Sequence, residues 1–128
     1  MRGDESLLNK AFQLKFYETK DGKQPAVDFI DNLPPKMAAK LIGLLEILEE
    51  KGTALRMPYS RLLEDGIFEL RCNLGTNSTR ILYFFYYNGT IVVTNGFVKK
   101  TQKTPKSELR IAKERRVDWI SRQIHSER

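Results

Sequence analysis

The chemistry this chain can offer is concentrated on two adjacent strand-like segments. Ile67-Phe68-Glu69-Leu70-Arg71-Cys72 reads as a strand in which Phe68, Leu70 and Cys72 share one face. Ile67, Glu69 and Arg71 share the other, so a carboxylate and a guanidinium stand side by side on what reads as an open sheet face. Arg80 opens the next strand, Arg80 to Tyr87, which is apolar on both faces and therefore reads as central. Two arginines on neighbouring strands repel unless an anion lies between them. Glu69 is the candidate anion in the free protein. A phosphate is the candidate in a complex, because arginine forks grip phosphate bidentately. The plainer reading is a cross-strand surface ion pair, worth less than about 1 kcal/mol.

A second basic element follows the last apolar run. Val98 to Lys106 carries four lysines and no acid. Lys99 and Lys103 are candidate RNA contacts, with Arg61 on the short segment Tyr59 to Leu63. Thr101 and Thr104 can bond phosphate or cap the following helix. Tyr83 is a candidate for stacking on a base, against the commoner reading as a core tyrosine. The loop lacks the glycines of a nucleotide-binding P-loop. His125 lies too near the C-terminus to suit catalysis. Neither a Cys/His cluster nor an acidic cluster is present, so neither metal nor cofactor is expected.

RNA cleavage on such a face proceeds by attack of the ribose 2′-OH on the adjacent phosphate. A base takes the 2′-proton, cations hold the developing charge and an acid protonates the leaving 5′-oxygen. Arg71 and Arg80 suit charge stabilisation, and Glu69 is the natural candidate base. A lysine enters proton transfer only where its pKa is lowered, as crowding by other cations does.

Composition places these residues in one globular domain, 1–128. The chain is 41% hydrophobic and 30% charged. Cys72 is the only cysteine, which excludes an intrachain disulfide and fits a reducing, cytoplasmic compartment. No apolar run is long enough to span a bilayer, and no secretory signal is expected behind the N-terminal residues. Charge is uneven: residues 1–96 hold 12 Lys+Arg and 12 Asp+Glu, whereas 97–128 hold 10 and 4. The whole net charge of +6 therefore sits in the last quarter, which points to a phosphate-rich or acidic partner or to a solvated basic helix.

The positioning elements follow from periodicity. Residues 1–11 read as frayed or weakly helical. Phe12 to Glu18 alternates as a first strand, and Asp21-Gly22 is a turn. Pro25 opens a helix with Ala26, Phe29, Ile30 and Leu33 on one face. Pro34-Pro35 leads to a second, with Met37, Leu41, Leu44, Leu45 and Leu48 in register and Gly52 as its stop. These form a helical hairpin. Strands follow at Tyr59 to Leu63, Ile67 to Asn73, Thr79 to Tyr87 and Thr90 to Phe97, joined at Asp65-Gly66, Gly75-Thr76-Asn77 and Asn88-Gly89. A final helix, about Lys106 to Gln123, has Ser107 as candidate N-cap and carries Leu109, Ala112, Trp119 and Ile120. The expected architecture is α+β: an antiparallel sheet of about four or more strands, an N-terminal helical hairpin and a C-terminal helix, with the helices on one side.

Taken in order, Leu62 to Arg71, Arg80-Ile81-Leu82-Tyr83 and Gly96 to Pro105, together with Lys23 to Ile30, resemble the phage-derived HigB-like branch of the RelE/ParE toxin superfamily. The resemblance covers roughly residues 14–122. It implies a toxin of a type II toxin–antitoxin module that cuts mRNA in the ribosomal A site by the metal-free 2′-OH route. It also implies a heteromeric complex with a cognate helix-turn-helix, HigA-like antitoxin, through which alone operator DNA is bound, and no membrane partner. By the resemblance, Arg80 falls at a phosphate-holding position, Arg71 among clustered basic groups, and Lys99 or Lys100 near another basic catalytic position. The catalytic set expected is Glu69, Arg71, Arg80 and Lys100. Glu69 stands where RelE itself has a lysine. The substrate-stacking tyrosine near the C-terminus of RelE has no equivalent here; Trp119 is the nearest aromatic and reads as core.

Two other readings share this fold: a ParE-like DNA gyrase inhibitor, and an RNA-binding module that does not cut. Arg71, Arg80 and the lysine loop favour the nuclease, and fold alone does not decide.

Overall fold

The computed structural model describes residues 12–87 and 89–126. The segment expected to fray, 1–11, lies outside them, as does Asn88 of the expected Asn88-Gly89 turn. Element order is β1 (Gln13–Phe16), α1 (Pro25–Asp31), α2 (Pro35–Lys51), a 3-10 turn (Gly52–Ala54), β2 (Ser60–Glu64), β3 (Ile67–Leu74), β4 (Asn77–Tyr86), β5 (Thr90–Val98) and α3 (Lys106–Ser126). Both early helices carry proline in their first turn, where its missing N–H has no intrahelical role. Gly52 ends α2 at φ +52°, and a Cβ there would meet the Phe12 ring at 1.8 Å. Asp65 and Gly66, at φ +52° and +76°, make the β2–β3 turn.

The five strands lie in the order β1-β5-β4-β3-β2. β2 to β5 are antiparallel neighbours, but β1 pairs parallel to β5, Gln13 opposite Thr90 through Phe16 opposite Val93. The sheet is therefore mixed rather than antiparallel. The helical hairpin is not N-terminal either: it follows β1 and carries the chain from one edge of the sheet to the other. Such a long connection frees β1 from hairpin geometry and permits the parallel pairing.

The helices also lie on both faces, not one. α1 and α2 cover a core of Leu70, Cys72, Ile81, Tyr83, Ile91 and Val93. On the opposite face Ala112 and Trp119 of α3 pack on Ile67, Leu82, Phe84, Val92 and Phe97. Ile81 to Phe84 of β4 are all essentially inaccessible. A strand apolar on both sides needs cover on both. Trp119 makes edge contacts with Phe84 and Tyr86 at ring separations of 5.9 and 4.9 Å, the core role its spacing indicates. Ser107 lies inside the first turn of α3 rather than capping it.

A β-bulge decides what the end of β5 presents. The β4–β5 register steps from Leu82 opposite Asn95 to Tyr83 opposite Val93, leaving Thr94 as the extra residue. Val92 belongs to the α3 side and Val93 to the other. Strict alternation would then turn Gly96 toward α3. Instead Phe97 lies on the α3 side, and Gly96 faces α1 so closely that a Cβ would sit 2.5 Å from Phe29 Cδ2.

Candidate functional site

The α3 side of the sheet carries a row of polar residues at one end. Register places Arg61 opposite Glu69, and Arg71 opposite Arg80. Ile67 lies on the α3 side, so alternation along β3 turns Glu69 and Arg71 to it as well. On β4, Arg80 shares this side with Leu82 and Phe84. The Thr94 bulge then brings Phe97, and next Lys99, to the same side.

Glu69 is the centre of the group and is completely buried. Its Oε1 lies 3.7 Å from Arg61 Nη2 and 3.7 Å from Arg80 Nε. Its Oε2 accepts a hydrogen bond from the Thr104 hydroxyl. The lysine loop is thereby folded back over the carboxylate, and the expectation that Glu69 lies on an open face is corrected. Thr104 bonds a carboxylate rather than capping the next helix. Thr101 donates to the Lys103 carbonyl at 2.9 Å and shapes the same loop.

Arg80 is also buried, and a hairpin holds it. Its Nη1 donates to Ser78 Oγ at 2.7 Å, to the Thr79 carbonyl at 2.8 Å and to Asn73 Oδ1 at 3.3 Å. Asn73 and Ser78 face each other across β3 and β4. Sequence reading missed this support, whose signal was the pair of short polar residues flanking the Gly75 turn. Arg71 is half-buried, with its Nη1 3.7 Å from Met57 Sδ. Arg61 is the most open of the three arginines.

Electrostatics are those of a cation cluster. Burial lowers the Arg80 pKa; Glu69 opposes this, and Arg71 and Arg61 reinforce it. Burial likewise lowers the Lys99 pKa, again opposed by Glu69 and reinforced by Arg80, Arg61 and Arg71. Lys99, half-buried, is thus the lysine that couples to the arginines. Lys100 is exposed one residue further on, and alternation along the chain end turns it away from the side that Lys99 takes. Lys103 is exposed too and lines a neighbouring groove with Arg61, Gln102 and Thr104.

Tyr83 does not join the site. It lies on the α1/α2 side at 1% exposure, hydrogen-bonded through its hydroxyl to Ser60 and stacked on Phe68 at 5.5 Å. Leu82 takes the site-facing position of β4 instead.

Four cations around one carboxylate leave hydrogen-bonding capacity unused. Glu69 Oε1, Arg71 Nε and Arg80 Nε are buried and have no hydrogen-bond partner among the described residues. Buried polar atoms without partners are uncommon; Arg116 Nε on α3 is a fourth, and the two donors in this cluster, Arg71 Nε and Arg80 Nε, keep capacity for a further acceptor. An anion with several oxygens, such as a phosphodiester, has the charge and acceptor geometry to fill it.

Residues 28–117 match the family model described as Phage derived protein Gp49-like (DUF891). The chain belongs to this Gp49-like family. The matched span holds every member of the cluster: Arg61, Glu69, Arg71, Arg80, Lys99 and Thr104. Gp49-like proteins are associated with toxin–antitoxin toxins of the RelE/HigB type, which agrees with the resemblance at that level. No curated protein gives a significant match to the chain. Among the described residues of this Gp49-like chain, no helix is long and apolar enough to cross a membrane.

Proposed function

We propose that this Gp49-like protein is the toxin of a type II toxin–antitoxin module and a metal-free endoribonuclease that cuts mRNA in the ribosomal A site. The observation that carries this reading is the convergence of Arg61, Arg71, Arg80 and Lys99 on one end of the sheet around a single carboxylate. The 2′-oxygen forms a bond to phosphorus and the bond from phosphorus to the 5′-oxygen breaks, leaving a 2′,3′-cyclic phosphate and a 5′-hydroxyl. Arg80 and Arg71 hold the phosphoryl oxygens, on which charge develops. Arg61 and Lys103 line the approach of the strand.

The 2′-proton needs an acceptor with a pKa near the working pH. Lys99 suits this, because its lowered pKa raises the share of neutral amine; the resulting ammonium returns the proton to the 5′-oxygen. Glu69 lies between Arg61 and Arg80 and accepts from Thr104, so in this reading it balances the arginines rather than taking the ribose proton. In this reading a helix-turn-helix antitoxin silences the toxin and carries the complex to operator DNA. The test is induced expression with 5′-end mapping of cellular mRNA. Codon-phased new ends are expected, and intact mRNA, with or without DNA breaks, overturns the reading.

A further inference from the structure

We infer that Glu69 is a resident stand-in for the substrate phosphate, and that an incoming phosphate must displace it and so release the lysine loop. The inference rests on reading the cluster as a phosphate site, and it adds how that site is kept closed.

Three observations support it. First, the carboxylate lies where the guanidiniums converge but fits them poorly. Its Oε1 is 3.7 Å from both Arg61 and Arg80, well beyond the roughly 2.8 Å of a charge-assisted hydrogen bond. Second, donors in the cluster remain open: Arg80 is 4% exposed and Arg71, opposite it on β3, is half-buried, yet the Nε of each has no acceptor among the described residues. One planar carboxylate cannot reach three forks, whereas a tetrahedral phosphate presents oxygens in several directions. Third, the only hydrogen bond to the Glu69 carboxylate among the described residues comes from Thr104, in the loop that bears Lys99, Lys100 and Lys103. When Glu69 moves aside, that hydroxyl loses its acceptor, and the lysines are freed as phosphate arrives.

Such an arrangement prevents four cations from repelling one another in the empty site. It also weakens anion binding, since apparent affinity scales with the fraction of sites free of the internal carboxylate. If about one site in ten is open, removing the carboxylate strengthens phosphate binding about tenfold.

The experiment uses the full chain and inorganic phosphate, at constant ionic strength in buffer otherwise free of multivalent anions. Melting temperature is recorded against phosphate for wild type and for Glu69→Gln. The variant is expected to melt lower than wild type without phosphate, to be restored by it, and to show about tenfold tighter apparent binding. Equal phosphate affinity in the two proteins, or binding by neither, overturns the inference. Should Glu69→Gln fail to fold even in phosphate, amide exchange of residues 101–104 in wild type and Thr104→Val decides. Saturating phosphate is expected to speed exchange in wild type toward the rate of phosphate-free Thr104→Val, and unchanged or slower exchange overturns the inference. Tighter phosphate binding by the variant with no mRNA cleavage by wild type would keep the stand-in and remove the nuclease. Cleavage with equal phosphate affinities would do the reverse.

Discussion

Glu69 Oε1 lies 3.7 Å from Arg80 Nε, and both atoms are buried without a hydrogen-bond partner among the described residues. The two charges therefore compensate each other through space rather than through a shared proton. Their separation is short enough that a low-dielectric surrounding leaves the attraction substantial.

The first prediction follows from that pairing. Arg80→Ala takes the buried counter-charge from a buried carboxylate and leaves it the more open Arg61, the Thr104 hydroxyl and the field of Lys99, so the fold is expected to lose about 3 kcal/mol. Adding Glu69→Gln removes the uncompensated charge and should recover part of the loss. Urea unfolding of the wild type, both single variants and the double variant measures this. A loss below about 1 kcal/mol in Arg80→Ala would mean that Arg80 is not the main counter-charge.

Arg71 should behave in the opposite way. It stands directly across from Arg80 on β3 and is only half-buried, so its charge adds repulsion. Arg71→Gln is expected to leave stability unchanged or raise it by about 0.5 kcal/mol. Cleavage of mRNA should fall about 100-fold, the usual loss for one charge-stabilising donor. Single-turnover cleavage on translating ribosomes and the urea midpoint are the two readings. Retained cleavage would remove Arg71 from the site.

Much of this arrangement is legible in the chain because it depends on period-two alternation. Phe68, Leu70 and Cys72 face the helical hairpin, and Glu69 and Arg71 face away, as their spacing requires. The heptad-like run from Met37 to Leu48 likewise lies in the core. The errors arise where non-local packing overrides local pattern. Ile81 to Phe84 are apolar on both sides of the strand and so require cover on both faces, which α3 supplies opposite α1 and α2. With α3 and the lysine loop on that face, Glu69 is buried rather than open. The Thr94 bulge has no sequence signature, so the choice between Lys99 and Lys100 could not be made by counting. Tyr83 carried a polar handle that suggested RNA; Ser60, from a strand 23 residues earlier, satisfies it instead.

The buried Tyr83 gives an alkaline signature. Burial is the main cause that pushes its pKa up to about 12 from an ordinary 10, with the Ser60 hydrogen bond acting against it. Between those values the folded chain keeps a proton that the unfolded chain has released. Stability contributed by this group is therefore present below pH 10 and is lost as pH rises toward 12. The slope is about 1.4 kcal/mol per pH unit. Tyr83→Phe should flatten that part of the stability curve, while costing about 1 kcal/mol at neutral pH through the lost Ser60 bond. Urea unfolding at a series of pH values measures it, and an unaltered slope would contradict the assignment.

Lys99 distinguishes proton transfer from charge. Burial lowers its pKa, as do the three neighbouring guanidiniums, while Glu69 acts against them. The neutral amine needed to accept a 2′-proton is therefore populated below the ordinary lysine value of 10.5. Lys99→Arg keeps the positive charge and the reach to phosphate but cannot give up its proton. If Lys99 only holds phosphate, the variant should cleave nearly as well as wild type. If it transfers the proton, cleavage should drop about 100-fold or more while phosphate affinity stays within a few-fold. The wild-type rate should also climb with pH and level off below 10.5, and the variant should lose that climb. Single-turnover rates across pH, beside phosphate titrations of the same two proteins, separate these outcomes. A Lys99→Arg profile that parallels wild type would move the proton transfer to another residue and leave Lys99 as one wall of the phosphate site.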